Sequence, residues 1–180
     1  MTVAAQTLLT LPDWRGGRTD AAFAPWVAGL PAQRLEQDDE RWPQRGDWLT
    51  RLDTAVRDAA QKPVLVALGL GCALVQAWAA HTEQVDAVRG ALLLAPADLL
   101  RVELPPQLRS WRHPPVVTLP FLAWVVGSSA DESSARAFAR DCSAHWCSAA
   151  GAGAGAALDV ALTAQLNALL HGLATAPTDR

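Results

Sequence analysis

The chain has 180 residues, 51% hydrophobic and 18% charged, which excludes a disordered chain and suits one domain with a buried central sheet. Its 15 basic and 18 acidic side chains give a net charge of −3, with no basic run and Lys62 as the sole lysine; a nucleic-acid footprint of clustered cations is excluded. No apolar stretch reaches the roughly 18 residues of a membrane helix, the N-terminus lacks a signal peptide's charged start, and Cys72, Cys142 and Cys147 cannot all pair within the chain, so a soluble cytoplasmic protein with no membrane partner is expected.

Thr7 to Leu11 is a short apolar run ended by Pro12 and predicts a first buried strand. The polar loop "DWRGGRTD" follows, then a helix over Ala21 to Leu30 capped by Thr19 or Asp20, with Pro25 in its first turns. Arg34 to Gln37 is the candidate second strand. After the loop "DDERWPQRGD", Trp48, Leu49, Leu52, Val56 and Ala59 mark one face of a helix.

The stretch "KPVLVALGLGCALVQAWAA", residues 62–80, predicts a buried strand over Val64 to Leu68, a glycine turn, and a helix running to about His81. Gly90 to Ala95 is a fourth strand closed by Pro96, and the proline-rich segment from Asp98 to Pro120 reads as an irregular crossing. Phe121 to Val126 predicts a fifth strand and Ser133 to Trp146 a helix. The small-residue run "CSAAGAGAGAA" holds a weak last strand, and Leu158 to Leu173 a final amphipathic helix.

Strands alternating with helices predict a three-layer α/β/α sandwich around a mainly parallel sheet. The working crevice of such a sheet lies beyond the carboxyl ends of its strands. The loops after Leu11, Leu68, Ala95 and Val126, and one near Gly155, fall on that edge.

Five pieces in the right order then resemble a known family. "LPDWRGGRTDAAFAPW" is similar to a first strand and glycine-rich loop that usually reads Pro-Gly. "RLEQDDERWPQRGDWLTRLDTAV" resembles an acidic second segment and its tryptophan-bearing helix. "PVLVALGLGCALVQAWAA" resembles an elbow that normally reads His-Ser-Leu-Gly. "GALLLAPAD" and "GSSADESSARAFA" resemble the next strand and a catalytic-acid loop. Together they resemble the small single-domain serine hydrolases of the α/β-hydrolase fold, the family that includes retinoblastoma-binding protein nine, over most of the chain.

The resemblance implies that Gly69 stands where the nucleophilic serine would be and Leu68 where a histidine precedes it. Asp131 matches the triad acid, with Ala130 and Glu132 replacing its usual neighbours. The catalytic histidine belongs within "GAGAGAALD", and no histidine lies between His145 and His171. Nucleophile and base are both missing, and acyl transfer by a hydroxyl requires an oxygen within reach of an oriented base. Glycine adopts the strained elbow conformation without a Cβ penalty, so the turn is expected to survive. Restoring serine at Gly69 is expected to cost on the order of 1 kcal/mol as elbow strain returns.

Other nucleophiles are weaker candidates. Cys72 lies in the first turn of a helix, where a thiol can be activated, but its position suits a small buried side chain. Ser128 and Ser129 sit at a strand end, where hydroxyls cap helices. Cys142, His145 and Cys147 lack the fourth ligand of a structural zinc site, with His145 and Trp146 expected to close a helix. No metal or cofactor is expected. Arg15 and Arg18 flank the first loop, and Trp14 and Trp42 are loop tryptophans placed for ligand contact.

Leu70 N–H and an N–H from Asp13 or Trp14 would form the anion hole inherited from the implied fold. The expectation is therefore a non-catalytic binding or regulatory protein whose ligand is a small anion, a carboxylate or a protein partner. A hydrolase of small esters or amides acting through Cys72 or a loop serine is the alternative, and a purely structural partner subunit is a third.

Overall fold

Val64–Leu68 is an apolar run ended by Gly69, and it forms β3, buried along its whole length. The structure is a computed structural model that describes residues 7–15, 19–128, 132–149 and 160–176. Around β3 stand β1 (Leu8–Leu11), β2 (Ala32–Arg34), β4 (Gly90–Leu94), β5 (Leu122–Ser128) and β6 (His145–Ala149), in the order β2-β1-β3-β4-β5-β6. Every pairing is parallel; Leu9 faces Leu65 across β1 and β3, and Leu65 faces Ala91 across β3 and β4. Parallel strands need crossovers, and the chain supplies helices α1 (Thr19–Ala28), α2 (Arg45–Asp58), α3 (Leu70–Ala79), α4 (Glu132–Asp141) and α5 (Val160–Thr175).

Strand side chains alternate between two cores, as the period of two requires. Leu9, Leu11, Leu65, Ala67, Ala91 and Leu93 pack with Trp48, Leu52 and Val56 of α2, with α3, and with Ala135 and Ala139 of α4. Leu8, Val64, Val66, Leu68, Leu92 and Leu94 pack with Phe23 and Trp26 of α1 and with Leu162, Leu166, Leu170 and Leu173 of α5. The expected three-layer α/β/α sandwich is what forms. No helix among the described residues is long and apolar enough to cross a membrane.

The last third of the sheet departs from expectation. The helix predicted over Ser133 to Trp146 ends at Asp141, and His145 and Trp146 belong to β6 instead. Ser143 takes φ 53°, Ala144 N–H donates to Ala139 O at 2.8 Å, and Ser143 N–H donates to Arg140 O at 3.0 Å. This is a Schellman termination with serine in the left-handed position where glycine is usual. Among the described residues the last strand is β6, which shares residues 147–149 with the small-residue run expected to hold it; residues 150–159 of that run fall outside the described set. At the other edge, β2 covers Ala32–Arg34 rather than Arg34 to Gln37, although Leu35 N–H still reaches Thr10 O at 2.8 Å.

The long crossing from β4 to β5 carries a 3₁₀ turn over Pro106–Trp111. Its Trp111 is buried, donates from Nε1 to Pro43 O at 2.9 Å, and meets Trp48 edge-on with centroids 5.6 Å apart. The crossing is thereby pinned over α2.

Candidate functional site

The strand order reverses between β1 and β3: the chain steps outward from β1 to β2, then builds β3 to β6 on the opposite side. At such a switch point the loops leaving two adjacent strands turn apart and open a crevice at their carboxyl ends. The loop after β1 begins Pro12-Asp13-Trp14, and the link from β3 to α3 is the single residue Gly69.

Gly69 has φ 51° and ψ −110°, a conformation that costs any side-chain-bearing residue strain. Its N–H donates to Leu94 O at 3.0 Å, and its carbonyl accepts from Cys72 N–H and from Ala97 N–H, both at 3.2 Å. The sharp strand-to-helix turn is therefore braced by the end of β4. Gly71 is required as well: a Cβ there would come within 2.9 Å of the carbonyl oxygens of Leu11 and Pro12. Helix α3 can approach β1 so closely only without that atom.

Asp13 fills the space above the turn. It is 2% exposed, and a Cβ built on Gly69 would overlap its Cγ and both carboxylate oxygens. Asp13 Oδ1 accepts from Leu70 N–H at 2.8 Å and from Trp14 N–H at 2.9 Å. Leu70 is the first residue of a helix buried from Leu70 to Trp78, so its N–H has an orphan donor's need for a partner and no water to meet it. Gly69 offers no capping side chain. Two backbone donors from different loops thus converge on one oxygen, and that oxygen belongs to the chain itself.

The sequence placed Gly69, Asp13, Trp14 and Leu70 together, and the fold brings them into contact. Asp13, however, enters the site with its carboxylate, whereas its N–H was the expected contribution. Asp131, Ser129, Arg18 and the segment expected to hold a base lie outside the described residues, as does the side chain of Ser128. Arg15 is 60% exposed and turned toward Glu40, at 3.8 Å. Trp42 is half exposed, and its N–H donates to Asp39 Oδ1.

Cys72 is fully buried below the turn, its Sγ 3.5 Å from the carbonyl oxygens of Ala67 and Leu94. Burial, and then the negative charge of Asp13, push its thiol well above the ordinary range. A thiol held protonated in this way is a poor nucleophile. His81 follows α3 at its far end and holds Ala77 O through Nδ1 at 2.7 Å. His145 opens β6 at the opposite edge of the sheet and stacks on Trp124 at 4.7 Å. His171 is exposed on α5, and His113 is exposed in the crossing.

Beside the turn lies a cleft of about 370 Å³, lined by Thr10, Leu11, Pro12, Val27, Leu30 and Leu68, with Arg34 at one side. Leu68 stands where the resemblance implies a histidine, and it extends this apolar wall up to Gly69. Arg34 is held by Glu40 at 2.9 Å and by Glu36, so its charge is balanced within the chain.

What reasoning from sequence missed was the carboxylate of Asp13. The signal was present: Pro12-Asp13 stands where the resemblance implies Pro-Gly, and Gly69 stands where it implies serine. The two departures face each other in space.

The comparisons with known proteins agree on the scaffold. A family model described as serine hydrolase matches residues 8–165. No curated protein matches the chain. Among solved structures, a YdeN-like hydrolase from Pectobacterium atrosepticum is similar with a TM-score of 0.67 at 17% identity, covering 94% of this chain and 93% of that one. The ydeN gene product of B. subtilis aligns with a TM-score of 0.66 at 16% identity, over 93% of this chain and 100% of that one. A lipase/esterase from Lactobacillus plantarum aligns with a TM-score of 0.62 at 15% identity, over 94% and 87%. At these identities the structures speak for the fold.

Proposed function

The chain belongs to the serine hydrolase family, and from that premise we propose that it keeps the family's elbow as a scaffold for binding rather than for hydrolysis. One observation carries this reading: the backbone at Gly69 holds the elbow turn, while the place of a serine side chain is taken by the Asp13 carboxylate. Glycine brings no oxygen to attack a carbonyl, and Asp13 occupies the two N–H groups that would stabilise a tetrahedral oxyanion. Nucleophile and oxyanion site are thus both compromised by the same pair of residues.

The binding role falls to the neighbouring cleft. Its walls are largely aliphatic, with the Thr10 hydroxyl and a balanced Arg34 as its polar features, which suits a small, mainly apolar ligand with one polar group. The free cysteines support a reducing, cytoplasmic setting.

The test is turnover of short-chain p-nitrophenyl esters by purified protein, with fluorophosphonate and iodoacetamide labelling in parallel. The expected result is no hydrolysis above the buffer rate and no fluorophosphonate adduct. Because loss of triad members can leave about 10³-fold acceleration elsewhere, the assay must resolve slow rates. Saturable hydrolysis abolished by Cys72→Ala would transfer the reading to a cysteine enzyme, and an adduct on Ser128 or Ser129 to a loop serine.

A further inference from the structure

We infer that Asp13 and Gly69 form a locked pair, in which the Asp13 carboxylate acts as an internal ligand of an anion hole that would otherwise accept small external carboxylates. The inference rests on the geometry of the turn and holds whether or not the chain hydrolyses anything.

The donors are Leu70 N–H and Trp14 N–H, 2.8 and 2.9 Å from one carboxylate oxygen. One opens a ten-residue helix and the other lies on a separate loop, and both aim at a buried point. A carboxylate oxygen in that position receives two charge-assisted bonds and the favourable end of the α3 dipole. Removing it would leave the buried Leu70 N–H unsatisfied, a costly state. An external carboxylate of the same shape should therefore be taken up when Asp13 is cut back.

The second half of the lock is steric. Any Cβ at position 69 overlaps the Asp13 carboxylate, so side chains at 13 and 69 exclude each other beyond the backbone strain that φ 51° imposes. An ordinary helix cap reaching in from another loop would leave position 69 indifferent to its presence. Here the two positions must be coupled, as residues that share one volume are.

Thermal unfolding of the wild type, Asp13→Gly, Gly69→Ala and the double variant tests both halves, with sodium formate, formamide and sodium chloride as additives. Asp13→Gly should melt below the wild type and regain roughly 3–6 °C at formate concentrations ten times its dissociation constant. Formamide and chloride should not do this, and formate should leave the wild type unmoved. Gly69→Ala should lower the melting temperature more in the wild type than in Asp13→Gly. If Asp13→Gly does not fold, Asp13→Asn keeps the shape, and the amide protons of Leu70 and Trp14 should shift upfield as charge assistance is lost. The inference is overturned by formate acting equally on wild type and variant, by equal effects of Gly69→Ala in both backgrounds, or by unmoved amide resonances in Asp13→Asn.

Discussion

At Gly69 a hydroxymethyl group has no free volume to enter. Gly69→Ser must either expel Asp13 from the two N–H groups or distort the turn, and it also restores backbone strain at φ 51°. Steric overlap in a packed site costs about 1–3 kcal/mol, and strain of this kind about 1–3 kcal/mol. The expected loss is thus about 2–6 kcal/mol in urea unfolding, the sum of the two, and above the cost of strain alone. No esterase activity should appear, because a serine without a base stays protonated; robust turnover by this variant would reveal a base. The thiols give a second measurement at this scale. Cys142 is buried, and burial together with the Asp141 charge pushes its thiol up to about 12, against a hydrogen bond from Gln76. Cys147 is half-buried and raised by burial alone. Iodoacetamide at neutral pH should modify Cys147 first in the folded protein, with Cys72 and Cys142 reacting only after denaturation, as mass spectrometry of digests would show. Rapid native labelling of Cys72 would contradict the packing described for it.

The elements are joined by polar clamps as well as by apolar faces. Asp53 on α2 accepts from Trp78 Nε1 of α3 at 3.0 Å, from Thr82 Oγ1 at 2.7 Å and from Gln84 Nε2 at 2.9 Å, and pairs with Arg57 at 2.7 Å. Partial burial opposes its ionisation, but the bonds from Thr82 and Trp78, the Arg57 charge and the Gln84 bond outweigh it and hold the carboxyl below the usual range. A depressed folded pKa stabilises the protein above the unfolded value, near 3.9, and that contribution is lost as pH falls toward the folded value. Wild type should exceed Asp53→Asn in stability by about 1–2 kcal/mol at pH 7, with the gap closing below about pH 4. A gap independent of pH would contradict the role given to the charge. At the end of α4, Ser143 pays for its positive φ with a steric penalty that glycine lacks. Ser143→Gly should stabilise the protein by about 0.5–1 kcal/mol, less whatever the Thr118 contact at 3.2 Å contributes. Chemical denaturation reads the difference.

Across the whole molecule, sequence alone determined what depends on local chemistry and spacing. Runs such as Val64–Leu68 and Gly90–Leu94 are apolar on both faces and flanked by turn residues, so they could only be central strands of a covered parallel sheet. Trp48, Leu49, Leu52 and Val56 follow the three-and-four spacing of a helix face and break the alternation of a strand. The missing serine at Gly69 was equally plain, because absence of a side chain needs no structure to establish. Tertiary structure decided the rest. The edge strand β6 carries no apolar run, and it exists because its backbone pairs with β5 from Trp124↔His145 to Ser128↔Ala149. The helix before it stops at a serine in the left-handed region, which leaves no glycine or proline to read. The role of Asp13 was hidden for the same reason. Its partner Leu70 lies 57 residues away along the chain, and only the packing of β1 beside β3 brings a carboxylate into the space that Gly69 leaves open.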